Sequence, residues 1–144
     1  MKPILRDFIR IGGRHAYPLP CCALLQTDGS YKTRKGAVAA ILTTPDNRTV
    51  YRNTHPIVAS NSTEAEWASI ANGIRFALEK EQFLLAVEND NLSVIAALTG
   101  YGTLNHSYAR YYKSQITKLT AQTLWTGVRW IPRELNRADD LFLR

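Results

Sequence analysis

Long apolar runs are missing from this sequence. None of its 144 residues falls in a stretch approaching the roughly 20 apolar residues that span a bilayer, which excludes a transmembrane helix. The first residues, MKPILRDFIRIGG, carry charges where a secretory signal needs a continuous apolar core, so a cytoplasmic location is expected. Cysteine is almost absent. Cys21 and Cys22 are neighbours, a disulfide between neighbours is strained, and both read as reduced thiols rather than as part of a disulfide framework. Histidine is scarce too, and His15, His55 and His106 have no spacing that suits a zinc site. Acidic residues are outnumbered, 12 against 18 Lys and Arg, and the net charge of +6 points to a polyanionic partner, nucleic acid first among them. What is present is ordinary: 45% apolar and 21% charged residues exclude a disordered chain or a fibre. The length fits one domain with a short arm, and no internal repeat or low-complexity tract divides it.

Residues 1–22 form the arm and residues 23–144 the domain. In the arm, Ile4, Leu5, Phe8 and Ile9 fit one helix face, Gly12-Gly13 would stop that helix, and Pro18 and Pro20 enforce an extended connection. Its cations Lys2, Arg6, Arg10 and Arg14 offer a phosphate-contacting surface, while its apolar stripe needs a surface to pack on. The domain then reads as strands over 23–28, 38–43 and 49–58 and a helix over 62–79 with Trp67, Ile70, Ile74 and Leu78 on one stripe. A strand over 83–87 follows, then helices over 91–98 and 107–122, a strand over 124–131 and a short helix over 138–143. Short connections among the first three strands predict an antiparallel meander, and the helices between the later strands predict parallel crossovers. The fold class is α/β, with one mixed sheet flanked by helices.

Acidic residues fall at the ends of these elements. Asp28 closes the first strand, where Asp-Gly ordinarily marks a turn. Glu66 lies in the first helical turn, where Thr63-x-x-Glu66 fits a capping box, yet it also stands near the buried stripe. Asp90 follows the apolar strand FLLAV and could simply cap the next helix, and Asp139 and Asp140 could simply favour a helix dipole. Taken together, these ends can converge in one small sheet. Carboxylates that converge without cations repel each other and take up divalent ions, and an all-oxygen set favours Mg²⁺ or Mn²⁺.

At these positions the sequence resembles the ribonuclease H family of type 1, its plant-like and bacterial members above all. The resemblance runs from Leu25 to Leu143 and is carried by Thr27-Asp28-Gly29-Ser30-Tyr31, Gly36-Ala37-Val38, Thr63-Glu64-Ala65-Glu66-Trp67, Val87-Glu88-Asn89-Asp90-Asn91 and Trp130-Ile131-Pro132-Arg133-Glu134-Leu135-Asn136-Arg137-Ala138-Asp139-Asp140-Leu141. It implies the ribonuclease H fold with a five-stranded mixed sheet. It also implies metal-dependent endonucleolytic hydrolysis of the RNA strand of RNA–DNA hybrids, leaving 5′-phosphate and 3′-hydroxyl ends. The family's ligands to two Mg²⁺ or Mn²⁺ ions fall on Asp28, Glu66, Asp90 and Asp139. Glu64 is the rival of Glu66. Asp140 is the rival of Asp139, because one residue is missing between Asn136 and the Ala-Asp-x-Leu pattern.

The resemblance further implies nucleic-acid contacts at Gly29 and Ser30, at Lys32, Arg34 and Lys35, and at Asn61, Ser62 and Thr63. In the last block they fall on Arg133, Asn136 and Arg137. The usual Asn pair before the Glu is replaced by Ser62-Thr63, no histidine precedes the last Asp, and no strongly basic helix is present. Other readings stay open: a binding module of this fold without hydrolysis, a related nuclease acting on DNA, and a protein-interaction domain using the arm. A monomer with no membrane association is expected.

Overall fold

The computed structural model describes residues 8–11 and 21–142. The arm residues Lys2, Ile4, Leu5, Arg6, Gly12, Gly13, Arg14, Pro18 and Pro20, with Leu143 at the other end, lie outside the described residues.

The elements in chain order are β1 (Ile9–Arg10), β2 (Ala23–Lys32), β3 (Lys35–Thr43), β4 (Val50–Ile57), α1 (Ser62–Glu79), β5 (Leu84–Asn89), α2 (Leu92–Leu98), α3 (Ser107–Thr120) and β6 (Trp125–Trp130). Two 3-10 segments, Arg133–Leu135 and Arg137–Phe142, close the described chain. The sheet has six strands in the order β1-β6-β5-β2-β3-β4. β2, β3 and β4 form the expected antiparallel meander, and β5 and β6 run parallel to β2. The strand carrying Asp28 is therefore central, and the carboxyl ends of the three parallel strands lie at one end of the sheet, where open α/β sheets build their sites.

Helix α1 covers one face because its stripe is apolar: Trp67, Ile70 and Ile74 are buried against Leu25, Leu42, Leu85 and Val87 of the strands. On α3 Ile116 and Leu119 are buried and Tyr108 and Tyr112 partly so, all against the core cluster that includes Trp67 and Ile70, and α3 packs on α1. The opposite face is covered only in part. Phe8, Ala86 and Trp125 form one small cluster there, and Ala39, Ile41 and Ala138 form another, against which Leu141 and Phe142 of the last 3-10 segment pack.

The structure corrects the sequence reading in four places. The sheet has six strands rather than five, because Ile9–Arg10 pairs with β6. The helix expected through Phe8 and Ile9 is not formed there: Phe8 packs in the cluster with Trp125, Ile9 in the α1-side core, and Ile11 N–H donates to the Thr126 carbonyl at 3.0 Å. An alternating pair of apolar residues can bury both side chains while it hydrogen-bonds an otherwise open sheet edge. The first strand does not stop at Asp28 but continues to Lys32, with Asp28 opposite Ala39 in mid-ladder, so Asp28-Gly29 is not a turn. The turn lies at Thr33-Arg34, both with positive φ (50° and 64°), the requirement of a two-residue hairpin that matches strand twist. The final segment is 3-10 rather than α-helical. No disulfide joins Cys21 and Cys22, and Cys22 packs beside the cluster with Phe8.

Candidate active site

Asp28 sits in the central strand and is 5% exposed. Its neighbour Gly29 accounts for what stands beside it. A Cβ on Gly29 would lie 2.4 Å from the carbonyl carbon and oxygen of Ala65, so only glycine lets the first turn of α1 approach β2 this closely. The approach brings in Glu66: the Gly29 N–H donates to Glu66 Oε1 at 2.9 Å and lies 3.0 Å from Asp28 Oδ1.

The start of α1 separates Glu66 from Glu64. The capping residue is Asn61, whose Oδ1 accepts from the Glu64 N–H at 2.9 Å, while Glu64 Oε1 accepts from Ser60 N–H at 3.0 Å and Ser60 Oγ at 2.7 Å. The cap therefore uses Asn61 and Glu64 rather than the Thr63 and Glu66 whose spacing also fits a capping box, and Glu66 is left to face Asp28.

Asp90 follows β5. It does not cap α2, a role taken by Asn91, whose Oδ1 accepts from Val94 N–H at 3.1 Å. The Asp90 main chain is held by Trp130, whose indole Nε1 donates to its carbonyl at 3.0 Å, and its carboxylate accepts from Asn136 Nδ2 at 3.3 Å. One ligand oxygen each from Asp28, Glu66 and Asp90 can be chosen so that all lie within 4.8 Å of one another. Asp139 lines the same pocket of about 230 Å³, with Ser30, Tyr31, Lys32, Ser62, Arg133 and Phe142. Asp140 is exposed and lines only an adjoining groove, with Glu134 and Arg137, whose wall Arg133 and Asp139 share.

This convergence changes the acidity of the carboxyl groups. Burial, then the charges of Glu66 and Asp90, push Asp28 up to about 9. Burial and the charge of Asp90 push Glu66 up to about 7, against the opposing donation from the Gly29 N–H. Burial raises Asp90 as well, offset by the Asn136 amide and by Arg133. Among the described residues no ion pair neutralises Asp28, Glu66 or Asp90; Arg133 pairs instead with Asp139, Nη2 to Oδ1 at 3.6 Å. Buried carboxylates that raise one another in this way fit a divalent cation, which takes the place of the protons.

The remaining residues divide. Lys32 and Ser62 line the acidic pocket, and Arg34 and Lys35 are exposed in and beside the adjoining hairpin turn. Thr63 lines a different groove with Trp67, His106 and Tyr108, and Arg137 is exposed beyond the pocket. Asn61 caps α1 and Asn136 is buried, donating to the Thr27 carbonyl at 2.9 Å, so both hold the site together rather than line it. The sequence reading missed Asn89. It is fully buried, and its Nδ2 donates to the Thr27 carbonyl at 3.1 Å and to Thr27 Oγ1 at 3.0 Å, tying β5 to β2 beneath Asp28 and Asp90. An amide closing an apolar strand was its one visible signal.

Fold and site together define a ribonuclease H-like domain with an acidic cluster at the carboxyl ends of its parallel strands. The model of the family described as "Reverse transcriptase-like" matches residues 26–142, and the chain belongs to that family, with a ribonuclease H-like fold. Among solved structures it is similar to ribonuclease H1 of the halophilic archaeon Halobacterium salinarum, with 21% identity, a TM-score of 0.78 and coverage of 83% of this chain and 92% of that one. It is similar to the N-terminal ribonuclease H domain of a Mycobacterium tuberculosis protein, at 22% identity, TM-score 0.76, and 84% and 90% coverage. It is also similar to a ribonuclease H1 from compost, solved with an RNA/DNA hybrid, at 16% identity, TM-score 0.73, and 83% and 92% coverage. At these identities the likeness is one of fold. No curated protein matches the sequence.

Proposed function

We propose that the chain is a metal-dependent endonuclease that hydrolyses the RNA strand of RNA–DNA hybrids. The observation that carries this reading is the convergence of the buried Asp28 with the half-buried Glu66 and Asp90, with ligand oxygens within 4.8 Å and no neutralising ion pair among the described residues. Asp28, Glu66, Asp90 and Asp139 would hold two Mg²⁺ or Mn²⁺ ions. When bound, such ions supply a water of lowered pKa and charge stabilisation for the departing 3′-oxygen. The chain's own groups do the rest. The Gly29 N–H fixes the Glu66 carboxylate, and Asn136 and Trp130 fix Asp90. Lys32, Arg34, Lys35 and Arg133 flank the pocket or its hairpin with positive charge suited to backbone phosphates. Ser30 and Ser62 present hydroxyl groups at its wall, able to hydrogen-bond a 2′-hydroxyl. The relative from compost was solved with such a hybrid, which supports this substrate.

The test uses one sequence as end-labelled RNA–DNA hybrid, duplex RNA, duplex DNA and single-stranded RNA, each with Mg²⁺, with Mn²⁺ and with chelator. The expected result is cleavage of the hybrid alone, abolished by chelator and in Asp28→Asn and Asp90→Asn. Cleavage of duplex DNA under the same dependence moves the substrate to DNA. Binding of the hybrid without cleavage in either metal replaces the enzyme with a binding module.

A further inference from the structure

Beneath the acidic site, on the face of the sheet away from α1, three polar residues stand in one cross-strand row. Gln26 of β2 is opposite Glu88 of β5, and Glu88 is opposite Arg129 of β6. Gln26 and Glu88 are each 5% exposed. Glu88 Oε2 accepts from Arg129 Nε at 2.9 Å and Nη2 at 2.5 Å, and Oε1 accepts from Gln26 Nε2 at 2.9 Å. The Phe8 ring lies 4.5 Å from the Arg129 guanidinium and covers the end of the row. Glu88 is buried while the Arg129 side chain is 36% exposed, and taking that carboxylate out of water costs free energy that an apolar side chain of similar volume would not cost. The row therefore has to be explained by geometry.

The same Gln26 Nε2 also donates to the Leu135 carbonyl at 3.2 Å. Its Oε1 is the one buried side-chain polar atom without a partner among the described residues, so the amide is oriented for donation alone. Leu135 ends the 3-10 segment Arg133–Leu135, which contributes no buried residue of its own. Buried anchors stand only on either side, Ile131 before it and Asn136 after it. A segment without apolar anchors takes its position from its hydrogen bonds.

We propose that Gln26, held by the Glu88–Arg129 pair, is a positioning residue that fixes the Arg133–Leu135 segment and with it the Arg133 side chain at the mouth of the acidic pocket. The consequence for substrate rests on the nuclease reading; the tie itself does not. Hydrogen exchange at the Leu135 and Asn136 amides, which close this turn on the Pro132 and Arg133 carbonyls, reads the tie directly. In the full chain, Gln26→Met is expected to speed exchange there about fivefold or more while α1 amides keep their rates. Because Gln26→Met strands Glu88 without one donor, a second variant carries Gln26→Met, Glu88→Met and Arg129→Met together. It repacks the row apolar, and is expected to fold with the segment equally loosened. On the hybrid, KM should rise about five- to tenfold in either variant with kcat within about twofold, and Gln26→Met should add nothing in an Arg133→Ala background. Wild-type exchange in both variants overturns the tie. Faster exchange with unchanged KM, or equal effects with and without Arg133, overturns its role at the site. A wild-type chain that neither cuts nor binds hybrid overturns the nuclease reading, and exchange still decides the tie.

Discussion

At the scale of the residue, Asp28 concentrates the cost of the site. It is a carboxyl group in a buried strand, beside Glu66 and Asp90, and its pKa rises from 3.8 to about 9. Its folded value lies above its unfolded value, so in this window the folded chain binds more protons than the unfolded chain. The stabilisation this represents is complete below pH 4 and is lost as pH climbs towards 9. In chelator, the melting temperature of the wild type relative to Asp28→Asn should therefore fall steadily across that range, because asparagine has no proton to lose. Adding Mg²⁺ at the alkaline end should restore the wild type and leave Asp28→Asn little changed, since the cation takes the place of the proton. A difference that is flat with pH, or equal Mg²⁺ stabilisation of both proteins, would show that Asp28 does not belong to a metal-binding cluster.

At the scale of the element, the site depends on how closely α1 lies on β2. Besides Gly29 against Ala65, a Cβ on Gly73 would stand 2.5 Å from Thr27 Cγ2, so two glycines let helix and strand touch along about two turns. Gly29→Ala pushes against backbone, which cannot yield as a side chain can. The expected outcome is a loss of about 1–3 kcal/mol in denaturant unfolding, with cleavage reduced more than stability accounts for, because Glu66 moves with its helix. Stability and activity both at wild-type level would show that the close approach is not required. The apolar stripes of α1 and α3 were legible in the sequence because they follow a single periodicity, the meander because its connections are short, and so were the start of the helix that carries Glu66 and the end of the strand before Asp90, whereas the end of the first strand was not, since its pairing with β3 runs on past Asp28 to Lys32. The arm was not, since Phe8 and Ile9 fit a helix face and a two-sided strand equally well, and only the open edge of β6 decides between them. Nor was the cap of α1 legible: Thr63 and Glu66 have the same spacing as Asn61 and Glu64, and the choice depends on where the helix starts. Asp139 and Asp140 were separated by the packing of Leu141 against Ala39 and Ile41, which fixes the rotation of the last segment and sends Asp139 to the pocket.

At the scale of the whole molecule, the charge is divided. The chain carries +6 overall, yet Asp28, Glu66 and Asp90 are gathered at one end of the sheet, and cations stand around them: Lys32, Arg34 and Lys35 on the hairpin side and Arg133 and Arg137 on the other. A polyanion is therefore drawn to the rim while the pocket floor stays negative and keeps its ions. The hairpin is well suited to this task, because a two-residue turn with Thr33 and Arg34 both at positive φ is short and leaves little freedom to the side chains it presents. If these five cations meet phosphates, the affinity for hybrid should fall with salt at a log–log slope of about −4 to −5. Replacing Lys32, Arg34 and Lys35 together by alanine should flatten that slope by about 3 without changing which duplex is preferred, since phosphate contacts carry no sequence or sugar information. Anisotropy titrations at fixed divalent concentration, on an Asp90→Asn background to prevent cleavage, give both slopes. A slope untouched by the triple replacement would place the polyanion elsewhere on the molecule, and a slope near zero for the parent would mean that the positive rim does not bind phosphate at all.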